Sequence, residues 1–130
     1  MVSGGDGNQP ILLCGHRDTV FPTGEVEKRP FSIADGKAFG PGVADMKPGL
    51  VINAFILAAF QKFGGHPNPL VGLFTGDEEI GSPASKDVIT AEAEKARLAF
   101  NSEPSRPSGN IVTRRTVSYT HLTLPTNTVV

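Results

Sequence analysis

Residues 45–65, DMKPGLVINAFILAAFQKFGG, constrain the fold more than any other stretch of this 130-residue chain. Asp45 can cap a helix, Pro48 fits a first turn where the missing N–H costs nothing, and Gly64-Gly65 supply the stop. Between these signals the polar positions are few (Asn53, Gln61 and Lys62). A helix of that composition must be covered by protein around most of its circumference.

The flanking sequence suggests what covers it. The run PILLCGH, fenced by Pro10 and Gly15, reads as a short buried strand, and PLVGLFTG, between Pro69 and Gly76, as a second. RLAFNSEP reads as a third strand, and PFSIADGKAFG as a small hairpin turning on Asp35-Gly36. SPASKDVITAEAEKA begins with helix-start chemistry at Ser82-Pro83 and continues in good helix formers. Strand, hairpin, helix, strand, helix, strand is the alternation of an α/β fold, a mostly parallel sheet flanked by helices. A chain of this length buries roughly two-thirds of its unfolded surface, enough for a core.

In such sheets ligands sit beyond the carboxyl ends of the strands. His16 and Asp18 follow the first strand, Asp45 opens the long helix, Asp77, Glu78 and Glu79 follow the second strand, and Glu103 follows the third. All are therefore predicted on one edge of the sheet. Taken singly, each has an ordinary explanation: a surface histidine, a turn acid or a helix cap. Together they place an imidazole among several carboxylates, a donor set suited to a borderline divalent cation such as zinc. Two such ions sit about 3.5–4 Å apart in hydrolases and need a carboxylate to bridge them, with another left free as general base. Adjacent Glu78 and Glu79 can divide those duties if a bend turns their side chains apart.

At this point the motifs GHRDTV, GPGVADMKPG, GDEEIGS and NSEPS resemble, in order and spacing over residues 9–115, the successive signatures of the M20 zinc peptidases, glutamate carboxypeptidases above all. The resemblance implies roles at matching positions. His16 and Glu103 would be ligands of one zinc, Asp45 the bridging ligand and Glu79 a ligand of the second zinc. Glu78 would be the catalytic general base, and Asp18 the catalytic-site acid that orients His16. It implies two Zn2+ ions, with Co2+ or Mn2+ as substitutes, and a small peptide or N-acyl amino acid substrate with a free carboxylate. A deacylase of the acetylornithine or succinyl-diaminopimelate type is the neighbouring activity, and a non-catalytic metal-binding fragment the alternative outside enzymes. The parent is expected to form a homodimer. One departure is Pro48, where the family usually has glycine; its first-turn position tolerates it.

The remaining features bound this reading. A formal net charge of −1 gives no basis for expecting nucleic acid or an anionic membrane as partner. No apolar run approaches the ~20 residues that span a bilayer. The single cysteine, Cys14, excludes an internal disulfide and reads as a small core residue, and His66 reads as a solvated loop residue. Residues 1–116 are read as part of a metallopeptidase catalytic domain, lacking its N-terminal part, its C-terminal remainder and the second zinc's histidine. The isolated piece is expected to be inactive. The uncharged stretch VSYTHLTLPTNTVV, residues 117–130, looks like a sequencing adapter read through in frame, so His121 is not taken as a ligand. A cytoplasmic location is favoured for the parent.

Overall fold

The first apolar run becomes the middle of the sheet. A computed structural model describes residues 9–105, in which β1 is Ile11–His16 and pairs in parallel with both of its neighbours. β4 (Leu70–Thr75) lies on one side and β5 (Leu98–Asn101) on the other, giving the order β4-β1-β5. Leu12 and Leu13 point to opposite faces and both are buried, which explains why this strand is a continuous apolar run rather than an alternating one. Complete burial of each such side chain is worth about 1.5–3 kcal/mol.

The hairpin consists of β2 (Ser32–Ala34) and β3 (Lys37–Phe39), with Ala34 opposite Lys37. Asp35 and Gly36 both have positive φ, 50° and 70°, as a two-residue turn of the favoured hand requires. A short helix, α1 (Glu25–Lys28), precedes the hairpin and has no counterpart in the sequence reading. Its four residues are held by Glu25, whose carboxylate accepts from Arg29 Nε at 2.6 Å.

The long helix, α2, runs Lys47–Lys62 with Pro48 in its first turn. It ends where expected: Gly64 and Gly65 take φ of 97° and 86°, and the Gly65 N–H donates to Phe60 O at 2.6 Å. Two expectations are corrected. Asp45 is not the cap; Met46 occupies the N-cap position, no side chain caps the helix, and Asp45 is turned toward the sheet edge instead. Nor do the described residues cover the helix. Only Gly49 and Asn53 are buried, while Val51, Ile52 and Phe55, and Phe63 just past the helix end, are more than half exposed. The apolar character is as read, but the protein that would cover it is not among residues 9–105.

α3 occupies Lys86–Lys95 in the crossover from β4 to β5 and starts later than Ser82-Pro83 suggests. The cause is Asp77. Its Oδ2 accepts the N–H groups of Ala84 (2.7 Å) and Ser85 (3.0 Å), and its Oδ1 accepts the Ser85 hydroxyl, which fixes the turn before the helix. Chain path and topology confirm an α/β fold with a parallel sheet and helices in its crossovers. Among the described residues no helix is long and apolar enough to cross a membrane. The stretch 117–130, with His121, lies outside the described residues.

Candidate metal centre

Parallel pairing carries three strand ends to the same edge. His16 is the last residue of β1 and lies opposite Thr75, while Cys14 lies opposite Asn101. Bonds from Arg17 N to Thr75 O (2.9 Å) and from Ser102 N to Cys14 O (3.3 Å) continue the ladders into the loops that follow. The loop entering α2 approaches the same edge because Gly15 leaves room for it. A Cβ at Gly15 would stand 2.8 Å from both Leu50 Cδ2 and Met46 Cε. Met46 is almost wholly buried there, and its sulfur accepts the backbone N–H of His16 at 3.2 Å.

His16 is 2% exposed and forms the centre of the cluster. Its Nδ1 lies 3.1 Å from the carbonyl oxygen of Asp18 and 3.4 Å from Asp18 Oδ1. A carbonyl can only accept, so Nδ1 carries a proton and Nε2 is the nitrogen left to bind. Nε2 in turn faces Asp45 Oδ1 at 3.1 Å, Glu103 Oε1 at 3.3 Å and Glu78 Oε2 at 3.7 Å. A bare nitrogen lone pair pointed at three carboxylates would be repulsive. What sits at that point must carry positive charge, either a proton or a metal cation.

The ligand atoms form two groups that share the imidazole, His16–Asp45–Glu79 and His16–Glu78–Glu103, with the atoms of each within 4.8 Å of one another. The structure thus brings together all the residues singled out for the site: His16, Asp18, Asp45, Glu78, Glu79 and Glu103. Glu78 stands within reach of Nε2 rather than apart from it, and Glu79 groups with Asp45. Asp77 is not part of the cluster. Its carboxylate faces α3, so the acidic run divides, with Asp77 holding a turn and the two glutamates facing the site. Asp18 also bridges loops, its Oδ2 accepting the Glu79 N–H at 2.9 Å.

The electrostatics follow from this crowding. Burial opposes a charged His16, but the carboxylates of Glu103, Glu78 and Asp18, with the bond to the Asp18 carbonyl, outweigh it and raise its pKa above the usual imidazole value. Burial, reinforced by the neighbouring Asp45 charge, raises the Glu79 carboxyl. For Asp18 burial acts upward, yet the amides that donate to it, Glu79 foremost, leave its pKa below the ordinary carboxylate range. One histidine proton cannot balance four carboxylates. Hard oxygens with one imidazole, including a carboxyl raised by burial and then by the neighbouring Asp45 charge, form a donor set that fits a divalent cation such as zinc.

Two features were not anticipated from sequence. Asn53, counted as one of the few polar positions of α2, is completely buried and bonded at both ends of its amide. His66 is half-buried rather than solvated, edge-on to Phe60 with ring centroids 5.4 Å apart, and it accepts the Asn68 N–H at 3.0 Å. A lone asparagine in an apolar helix is a legible signal of the first; nothing in sequence marks the second.

The fold and this donor set define an α/β domain with a candidate metal centre at the carboxyl edge of its parallel sheet. Residues 12–126 match Peptidase family M20/M25/M40, and the chain belongs to that family. It is 37% identical over 102 residues to carboxypeptidase G2 of Pseudomonas sp. (strain RS-16), covering 78% of this chain and 25% of that protein. Against acetylornithine deacetylase of Proteus mirabilis (strain HI4320) it is 35% identical over 106 residues, covering 78% of this chain and 27% of that protein. The chain therefore spans about a quarter of the length of these relatives.

Proposed function

We propose that the protein to which these residues belong is a two-zinc hydrolase that cleaves the amide bond of a peptide or N-acyl amino acid bearing a free carboxylate. The observation that carries this reading is the His16 Nε2 atom, held by its buried ring against Asp45, Glu103 and Glu78. Family membership supports the hydrolase class. The names of the two relatives, a carboxypeptidase and a deacetylase, both denote cleavage of an acyl–nitrogen bond. The carboxypeptidase-like activity is the primary reading, and the deacetylase likeness keeps an N-acyl amino acid deacylase as the second.

His16, Asp45 and Glu103 would hold one ion, and Asp45 with Glu79 the other. Bound there, the ions supply Lewis acidity, polarising a carbonyl and making a water acidic near pH ~7. Glu78, about half-exposed, has the access to take a proton from the attacking water and deliver it to the leaving amine nitrogen. The water oxygen bonds to the acyl carbon, the carbon–nitrogen bond breaks, and the products are a carboxylate and an amine. Asp18 keeps the Nδ1 proton in place and so fixes which ring nitrogen is offered. Among the described residues a single imidazole faces the cluster, so this chain alone is expected to bind metal with little turnover.

The test is Glu78→Gln in the full-length protein. The variant is expected to retain its zinc and to lose about 10²–10⁴-fold in kcat on an N-acyl glutamate or a dipeptide. Wild-type turnover by the variant would remove Glu78 from this role.

A further inference from the structure

We infer that α2 carries a seat for Ser102, built by Gly49 and Asn53, and that this seat is what positions Glu103. The inference rests on the metal-site reading above. Gly49 and Asn53 are four residues apart, on one face of the helix, and are its only buried residues. A Cβ at Gly49 would overlap the Ser102 carbonyl oxygen and lie 2.9 Å from Ser102 Cβ, so only glycine admits the loop this close.

One turn on, Asn53 fastens what the glycine admits. Its Nδ2 donates to Cys14 O at 3.1 Å and its Oδ1 accepts the Ser102 hydroxyl at 2.7 Å. The carbonyl can only accept, which fixes the orientation of the amide. Cys14 O also accepts the Ser102 N–H, so both its lone pairs are engaged. A fully buried amide in an otherwise apolar helix would cost free energy if left unpaired. Here it is satisfied by two segments that each lead directly into the cluster: Cys14 stands two residues before His16, and Ser102 immediately precedes Glu103. Glu103 reaches Nε2 from a loop whose first residue is pinned to the helix. Asn53, Gly49 and Ser102 touch no reacting atom; they are positioning residues.

The experiment measures Co2+ binding by the full chain, from its visible absorption, alongside amide hydrogen exchange on the metal-free protein. Ser102→Ala and Gly49→Ala are each expected to weaken Co2+ binding by about 10–100-fold and to alter the absorption bands. Both should also speed exchange at the Ser102 and Glu103 amides by roughly tenfold, with β1 and β4 amides unchanged. Ser102→Thr, which keeps the hydroxyl, should restore wild-type behaviour, and Ser102→Ala serves should Gly49→Ala not fold. In a Glu103→Ala background, Ser102→Ala should weaken Co2+ binding no further. Persistence of the full loss in that background, or unchanged exchange and affinity in Ser102→Ala, would overturn the seat. If Glu103→Ala itself leaves Co2+ affinity unchanged, the metal-site reading fails. The exchange data then decide the seat alone, local loss at Ser102 and Glu103 upholding it and unchanged protection refuting it.

Discussion

Asp18 Oδ2 accepts the backbone N–H of Glu79 at 2.9 Å, joining loops 61 residues apart in sequence. The same carboxylate lies 3.4 Å from His16 Nδ1, which is hydrogen-bonded to the Asp18 backbone carbonyl. One residue thus couples the imidazole, through its carbonyl and its charge, to the loop carrying both glutamates.

Removing that acid should therefore be felt both in metal binding and in the stability of the fold. Asp18→Ala is expected to weaken zinc binding by about 10–100-fold, read by competition with a chromophoric chelator. The Glu79 amide it leaves unpaired should cost about 1–3 kcal/mol in urea unfolding.

Asp77 makes the opposite prediction. Its pKa is lowered, chiefly by the Ser85 hydroxyl and further by the Ala84 and Ser85 amides, so its contribution to stability is present above the unfolded value, ~3.9, and lost as pH falls through the lower folded value. Asp77→Ala should speed amide exchange at the start of α3 while disturbing zinc affinity less than Asp18→Ala does. Comparable losses of zinc would mean that Asp77 belongs to the cluster after all.

The pH dependence of the metal-free chain follows from His16 and Glu79. A raised folded pKa for His16 means that its stabilising contribution is complete below the unfolded value, ~6.5, and disappears as pH rises through the folded value. The raised Glu79 carboxyl acts in the same direction at lower pH, favouring the fold as it takes its proton. Thermal midpoints should rise as pH is lowered from alkaline toward mildly acidic values, and His16→Gln should flatten the upper part of that trend. Metal requires the deprotonated Nε2, so zinc affinity should fall over the same range in which the metal-free protein gains stability.

Gly15 tests how closely the Asp45 loop must approach. Gly15→Ala places a methyl 2.8 Å from Leu50 Cδ2 and Met46 Cε, and overpacking of this kind costs about 1–3 kcal/mol. The urea midpoint should shift accordingly, and zinc affinity should fall with it because Met46 follows Asp45.

Much of this was legible in the sequence because the signals are local. An unbroken apolar run bounded by Pro and Gly marked β1 and β4, Asp35-Gly36 marked the hairpin, and Gly64-Gly65 marked the end of α2. The site residues were legible because parallel pairing sends every strand end to one edge. What escaped depends on distant partners. Asp45 has the composition of a helix cap, but the imidazole 3.1 Å away decides its direction. The start of α3 is set by Asp77, outside the helix itself. Asn53 was legible only as one of the few polar positions of α2, because its partners lie at Cys14 and in the loop after β5, at a separation of 49 residues from Ser102.

The most direct measurement is the zinc content of this chain after equilibration and gel filtration, compared with His16→Ala and Glu103→Ala. The account predicts bound zinc in the parent sequence, near-complete loss in His16→Ala and a clear reduction in Glu103→Ala, all three retaining the same far-ultraviolet dichroism. Equal zinc in all three proteins would contradict it.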